Sequence, residues 1–288
     1  MTNQYKRIGI IGLGYVGSAM STTLQSIMKN NVIHTYDINN SGNNNSIDSL
    51  AENSDIIFVC VPTPMDSNGA CNTSIVESIL SSINNFSSNY SDKIIVIKST
   101  VPIGSTDYFN NKFENLHILF NPEFLREESF LEDCANQDRI LIGGDPNDAI
   151  ILKEFYESVF VGIPVFTMDS PIAETVKYVT NSFLAVKVSY ANEIASLCRA
   201  KNIDYNQVIE IATLDSRLGN SHWAVPGPDG KKGFGGSCFP KDIMSLIHQF
   251  SENDIESLIL KSSWERNCTV DRPEKDWEIL KGRAVSEN

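Results

Sequence analysis

Two rhythms of apolar positions divide the chain. Up to about residue 168, short β-branched runs alternate with longer segments whose apolar positions return with helical spacing. That alternation is the pattern of βαβ units feeding a parallel sheet. Strands are predicted at RIGIIG (7–12), VIHTYD (32–37), DIIFVCVP (55–62), KIIVIKS (93–99), HILF (117–120), RILIGG (139–144) and PVFTM (164–168), with helices between them. The polar, turn-rich NNSGNNNS (39–46) reads as a surface loop.

After MDSP (168–171) the rhythm changes. Residues 171 to about 201 contain no glycine, and their one proline opens the segment, where a first helical turn tolerates it. This predicts one long helix. Further helices are expected at 204–213 and 240–249, separated by a Gly/Pro-rich loop at 219–236, and no internal repeat is visible. The expected fold is α/β: a Rossmann-like, doubly wound parallel sheet over residues 1–169, then a helical domain over 170–288 built on the long helix.

Composition narrows the partners. A chain of 288 residues accommodates about two domains, and a net charge of −13 argues against nucleic acid or an anionic membrane as partner. An anionic ligand must then find a local cluster of positive charge. No apolar run has the length of a membrane span. Cysteines 60, 71, 134, 198, 238 and 268 lack CxxC spacing, and MTNQYKRIGIIG lacks a signal-peptide layout, so the expected location is the reducing cytoplasm.

The chemistry begins in GIIGLGYVG, where Gly12, Gly14 and Gly17 have GxGxxG spacing around Leu13, Tyr15 and Val16, directly after a strand and at the start of a helix. Gly12 permits the tight turn, Gly14 lets backbone N–H groups approach a pyrophosphate, and Gly17 lets helix and strand pack closely. Asp37 closes the second strand twenty positions later, where a carboxylate accepts from a ribose diol and repels a 2′-phosphate. NAD is therefore expected rather than NADP. The alternative is a glycine-rich turn without ligand.

A second concentration of chemistry lies in GKKGFGGSCFPKD (230–242). Glycines 233, 235 and 236 allow close backbone approach to a ligand, Pro240 starts a helix, and Lys241 and Asp242 lie about one turn from Cys238. A helix N-terminus and a neighbouring cation are what favour a thiolate. Cys60 and Cys198 instead read as buried small hydrophobes.

Taken in order, GLGYVG, CVPTP, KSTVPIGST, NPEFLREES, RILIGGD, KYVTNSFLAVKVSYANEIASLC and GFGGSCFPKD resemble the UDP-glucose 6-dehydrogenase and GDP-mannose dehydrogenase family, over residues 7 to about 250. The resemblance implies an NAD-dependent four-electron oxidation of a nucleotide-sugar alcohol to a carboxylate through a cysteine-bound thiohemiacetal and thioester. By matched position it implies Cys238 as nucleophile, Asp242 as the carboxylate that positions water, and Lys177 and Asn181 as the cation and amide holding the reacting oxygen. Thr100 matches a threonine that binds the catalytic water, its alternative being a turn or a cap, a role Ser105 would also fill. Glu123 and Glu127 match carboxylates near water and cofactor, surface acids being the alternative. Glu128 departs from the pattern, which usually has glycine there.

For binding, the resemblance implies a substrate pocket lined by Phe124, Leu125, Phe234 and Gly235, cofactor contacts from Thr63, Thr100, Glu127 and Lys241, and Arg217 reaching a substrate phosphate across a homodimer interface formed through the long helix. Lys231 and Lys232 add to that field or are simply solvated. No metal is expected. Full-length relatives continue into a third, nucleotide-binding domain, and the forty or so residues after KDIMSLIHQF are expected to hold a helix at about 254–267 and a tail, not such a domain. GDP-mannose or another nucleotide sugar as substrate, a two-electron hydroxyacid dehydrogenase, and a non-catalytic NAD-binding protein remain open alternatives.

Overall fold

A computed structural model describes residues 7–29, 31–39, 42–44, 46–85 and 93–287. The chain divides into two units, Met1–Thr63 with Thr73–Lys177, and Pro64–Asn72 with Tyr178–Asn288.

The first unit is built on seven strands: β1 (Ile8–Ile11), β2 (Ile33–Tyr36), β3 (Ile56–Val59), β4 (Ile94–Ile97), β5 (His117–Phe120), β6 (Ile140–Gly143) and β7 (Val165–Met168), in the order β2-β1-β3-β4-β5-β6-β7. Alternate residues of each strand point to opposite faces. Ile8, Ile10, Phe58 and Val96 pack with Leu24, Leu152 and Tyr156 of α1 (Tyr15–Ile27) and α6 (Pro146–Val159). Ile11, Ile57, Val59 and Ile97 pack with Leu50, Leu80 and Phe109 of α2 (Ile47–Glu52), α3 (Ser74–Asn85) and α4 (Ser105–Lys112). Burial on both faces is why β1, β3, β4 and β6 read as apolar runs, whereas the edge strands β2 and β7 are only partly buried.

One pairing departs from the expected parallel sheet: β5 and β6 are antiparallel, meeting at Phe120 and Gly143. The connection between them contains only α5 (Phe130–Ala135), six residues long, or about 9 Å of helix. So short a helix does not carry the chain back along the sheet, and β6 starts from the end at which β5 finished. The loop at 39–46, of which residues 40, 41 and 45 lie outside the described residues, also does more than cover surface. Asn43 pairs with the edge strand, accepting from the Thr35 amide at 2.8 Å and donating to the Ile33 carbonyl at 2.8 Å. These bonds occupy backbone groups that an edge strand otherwise leaves open. The N-terminal segment weighed above as a signal peptide lies, through residue 6, outside the described residues.

Helix α7 (Ser170–Ala200) runs unbroken for 31 residues. In the second unit it is followed by α8 (Tyr205–Ala212), α9 (Phe239–Glu252) and α10 (Leu258–Arg266). α10 passes into a one-turn π-helical segment, Asn267–Asp271, at the point where the expected helix ends. Beyond it the tail is packed, because Trp277, 1% exposed, forms a small core with Met65, Trp264 and Ala284. Among the described residues no helix is long and apolar enough to cross a membrane.

Candidate active site

The glycine turn lies at the carboxyl end of β1, at the point where the sheet order switches from β2 to β3, which is where open α/β sheets bind ligands. Each glycine has a distinct steric reason. A Cβ on Gly12, whose φ is +89°, would lie 2.7 Å from the Cys60 carbonyl oxygen, and one on Gly17 would lie 1.8 Å from the Gly12 oxygen. A Cβ on Gly14 would meet nothing within 4 Å. Gly12 and Gly17 therefore hold the turn against β3 and α1, while Gly14 leaves an open cradle at the α1 N-terminus, where no side chain caps the helix. Asp37 accepts from the Leu13 amide at 2.7 Å and the Asn39 amide at 2.9 Å, fastening the turn to the end of β2. An open cradle, a helix N-terminus that no side chain caps and an adjacent carboxylate suit the diphosphate and ribose of a dinucleotide.

At the end of β4 the chain places Lys98, Ser99 and Thr100, all buried. Ser99 donates to the Val61 carbonyl at 2.6 Å, tying β4 to the segment that leads to buried Thr63. Across β5, Lys177 of α7 donates to the Glu123 carbonyl at 2.6 Å and lies 3.0 Å from its carboxylate. Glu123 also accepts from the Leu125 amide at 2.6 Å, so one carboxylate shapes the turn and neutralises the lysine. Lys177 is 2% exposed, which excludes the solvated surface role open to most helical lysines. Two cations lie over the Phe124 ring, Arg139 at 4.5 Å and Lys177 at 5.5 Å from its centre. Glu127 is exposed, and Glu128 is absent from the non-glycine residues with positive φ, so this position does not require the glycine usual in the resembling family.

In the second unit Cys238 is the N-cap of α9, half-buried, with Pro240 in the first turn. Asp242, 1% exposed, accepts from Asn181 at 2.6 Å and from Lys241 at 2.5 Å. Burial alone would lower the Lys241 pKa, but the charge of the Asp242 carboxylate, with that of Cys238 and Cys71 when they are ionised, outweighs it and holds the lysine above its ordinary range. A cation fixed as charged thus stands by the cysteine at a helix N-terminus, the setting that favours thiolate. Phe234 is buried and Gly235 half-buried, whereas Arg217 is exposed, in a short helical turn, paired with Asp215.

Within their own units the structure therefore brings together Lys177, Glu123 and Phe124, then Gly12, Gly14 and Asp37, and then Cys238, Lys241, Asp242 and Asn181. Sequence reasoning passed over Lys98, whose ammonium donates to the Asn121 side chain at 2.7 Å and its carbonyl at 3.3 Å, with burial lowering its pKa. Its signal was a lysine directly after an apolar strand. It also passed over Asn267 and Arg272, which pack on the glycine loop before Cys238 and left no local pattern. Among the described residues no cluster of three or more His, Cys, Asp or Glu side chains is arranged to hold a metal.

Residues 36–160 match the NAD binding domain of the UDP-glucose/GDP-mannose dehydrogenase family, and residues 172–269 match its central domain. UDP-glucose 6-dehydrogenase TuaD of Bacillus subtilis is 31% identical over 98% of this chain and 68% of its own length. A UDP-glucose 6-dehydrogenase of Rickettsia conorii is 36% identical over 75% of this chain and 49% of its own. Among solved structures, a UDP-glucose dehydrogenase from the archaeon Pyrobaculum islandicum superposes with a TM-score of 0.83 at 29% identity, covering 92% of this chain and 68% of that one.

Proposed function

The chain belongs to the UDP-glucose/GDP-mannose dehydrogenase family of NAD-dependent enzymes, and from that premise we propose that it oxidises the primary alcohol of a nucleotide sugar, UDP-glucose, to the carboxylate in two steps at Cys238. NAD, when bound, supplies the hydride acceptor, held by the Gly12–Gly17 turn with Asp37 on the ribose, and by Thr63, Thr100, Glu127 and Lys241.

The reading rests on one observation: Cys238 stands at the N-terminus of α9 beside a lysine kept charged by Asp242. Its sulfur adds to the aldehyde carbon formed by the first oxidation, so the reactive carbonyl stays attached as a thiohemiacetal until the second oxidation makes the thioester. Water then cleaves the carbon–sulfur bond, releasing the carboxylate and restoring the thiol. Asp242 and Thr100 hold that water, with Glu123 close to it. Lys177 and Asn181 donate to the oxyanion, and donors of this kind are worth about 3–4 kcal/mol in the transition state. Phe124, Leu125, Phe234 and Gly235 line the sugar nucleotide, and Arg217 neutralises its diphosphate from a second copy of the chain.

Such a second copy has a surface to use. On α7, Val179, Phe183, Tyr190 and Leu197 are each more than half exposed and recur at intervals of four and seven residues, one helix face. Our assignment to the reducing cytoplasm rests on six cysteines none of which is in a disulfide.

The test is NADH formed per molecule of limiting UDP-glucose in excess NAD, for wild type and Cys238→Ser. Two NADH per sugar, lost in the variant, is the expected result. One NADH per sugar, or wild-type turnover in the serine variant, would overturn the thioester route, and turnover with GDP-mannose alone would move the substrate but keep the chemistry.

A further inference from the structure

The loop that delivers Cys238 takes its shape from residues far along the chain, and we propose that Asn267 and Arg272 are positioning residues for Cys238, clamping the backbone from Gly233 to Gly235. The proposal rests on the reading of Cys238 as the nucleophile.

Asn267 is 0% exposed and uses its whole amide on one residue. Its Oδ1 accepts from the Phe234 amide at 2.8 Å while its Nδ2 donates to the Phe234 carbonyl at 2.9 Å. This is the exchange of a β-bridge made by a side chain, and it fixes both backbone dihedrals of Phe234. The π-helical turn that begins at Asn267 widens the helix where the amide must meet the loop, and such turns occur mostly at functional positions.

Arg272 closes the other side. Its guanidinium lies flat on Gly235, where a Cβ would be 2.4 Å from Cζ, and it is held at 2.7 Å by each oxygen of Asp276 and at 2.6 Å by Asp229. The Arg272 hydrogen bond is the largest reason the Asp276 carboxyl is pulled down to about 2, so the clamp stays ionised across the physiological range.

The two glycines record the same fit. Gly233 has φ +65°, and a Cβ there would lie 2.2 Å from Asn267 Oδ1. The sequence pattern suggested that these glycines clear space for a ligand, whereas the space beside Gly233 and Gly235 is filled by Asn267 and Arg272. Three residues after Gly235, past Gly236 at φ +71°, the chain reaches Cys238. Neither clamp residue is placed on the reacting atoms, and both act through the loop. An apolar filler would occupy the same volume without desolvating an arginine, so the polar clamp is matched to backbone geometry rather than to volume.

The test follows the pH dependence of Cys238 alkylation by iodoacetamide in the full chain, read by mass spectrometry on the tryptic peptide Gly233–Lys241, for wild type, Asn267→Ala and Arg272→Ala. In variants that keep wild-type circular dichroism, a change in the Cys238 rate of about threefold or more, or a displaced pH profile, is expected. An unchanged profile in both folded variants would overturn the proposal. If either variant fails to fold, Gly235→Ala and the double variant Gly235→Ala/Arg272→Ala decide. The added methyl alone should perturb labelling, removing the guanidinium should restore it, and absence of restoration counts against the clamp. Labelling is read without cofactor or sugar, so its result does not depend on the turnover that tests the functional reading.

Discussion

A methyl group added to Gly17 would be forced to within 1.8 Å of the Gly12 carbonyl oxygen, while one added to Gly14 would project into open space. The same substitution thus has two different consequences three residues apart. Gly17→Ala must displace α1 from the turn, and both thermal stability and NAD affinity should fall. Gly14→Ala should leave the melting temperature within about 2 °C of wild type, since it strains nothing, yet lower NAD affinity about tenfold or more by filling the cradle. Isothermal titration with NAD beside a melting curve separates the two, and retained affinity in Gly14→Ala would show that the cradle is not where the diphosphate binds. The spacing of these glycines was legible in the sequence because a strand, a turn and a helix follow one another without interruption. The reasons for Gly233 and Gly235 were not, because the atoms they make room for lie more than thirty positions further on.

At the scale of elements, α4 shows how one helix completes another. Its N-cap is Gly104, with φ +91° and no side chain to satisfy the first N–H groups. Glu174 of α7 does so instead, accepting from the Gly104 amide at 2.5 Å, the Thr106 amide at 2.9 Å and the Thr106 hydroxyl at 2.7 Å. Ser105, the cap suggested by local sequence, is the first residue of the helix and not its cap. Burial raises the Glu174 pKa despite these donors. Glu174→Ala leaves three donors without their acceptor and should cost about 2–3 kcal/mol in urea unfolding, with Glu174→Gln costing less because it keeps one oxygen. Equal losses in the two variants would mean that the oxygen and the volume kept by glutamine contribute nothing, and that the site needs both carboxylate oxygens. Because the folded-state pKa is raised, the native state holds this proton more tightly than the unfolded chain. The Glu174 contribution therefore declines as pH rises through the carboxylate range and is largest below it. The lengths of the strands and of α7 were readable from apolar spacing, whereas the direction of β6 was not, since it depends on how little distance the six residues of α5 span.

At the scale of the whole molecule, the exposed face of α7 leads to the last prediction. Phe183, 64% exposed in the middle of the Val179–Leu197 stripe, should be covered by a second copy. Light scattering should return twice the chain mass of 32.0 kDa for wild type and a value near the single chain for Phe183→Glu, whereas a monomeric wild type would sink the dimer. Membership of the family, the order of the strands along the chain, the glycine turn and the cysteine motif were all determined by the sequence alone, because each is encoded within a few consecutive residues or in a short period of apolar positions. What only the tertiary structure decided were the contacts between residues distant in sequence: Lys177 on Glu123, Glu174 on α4, Asn267 and Arg272 on the Cys238 loop, and Trp277 in a core formed with Met65. The physical reason is common to all of them. A buried charge or amide is tolerated only beside its partner, and which partner it meets is set by the packing of elements that apolar periodicity defines singly but does not arrange.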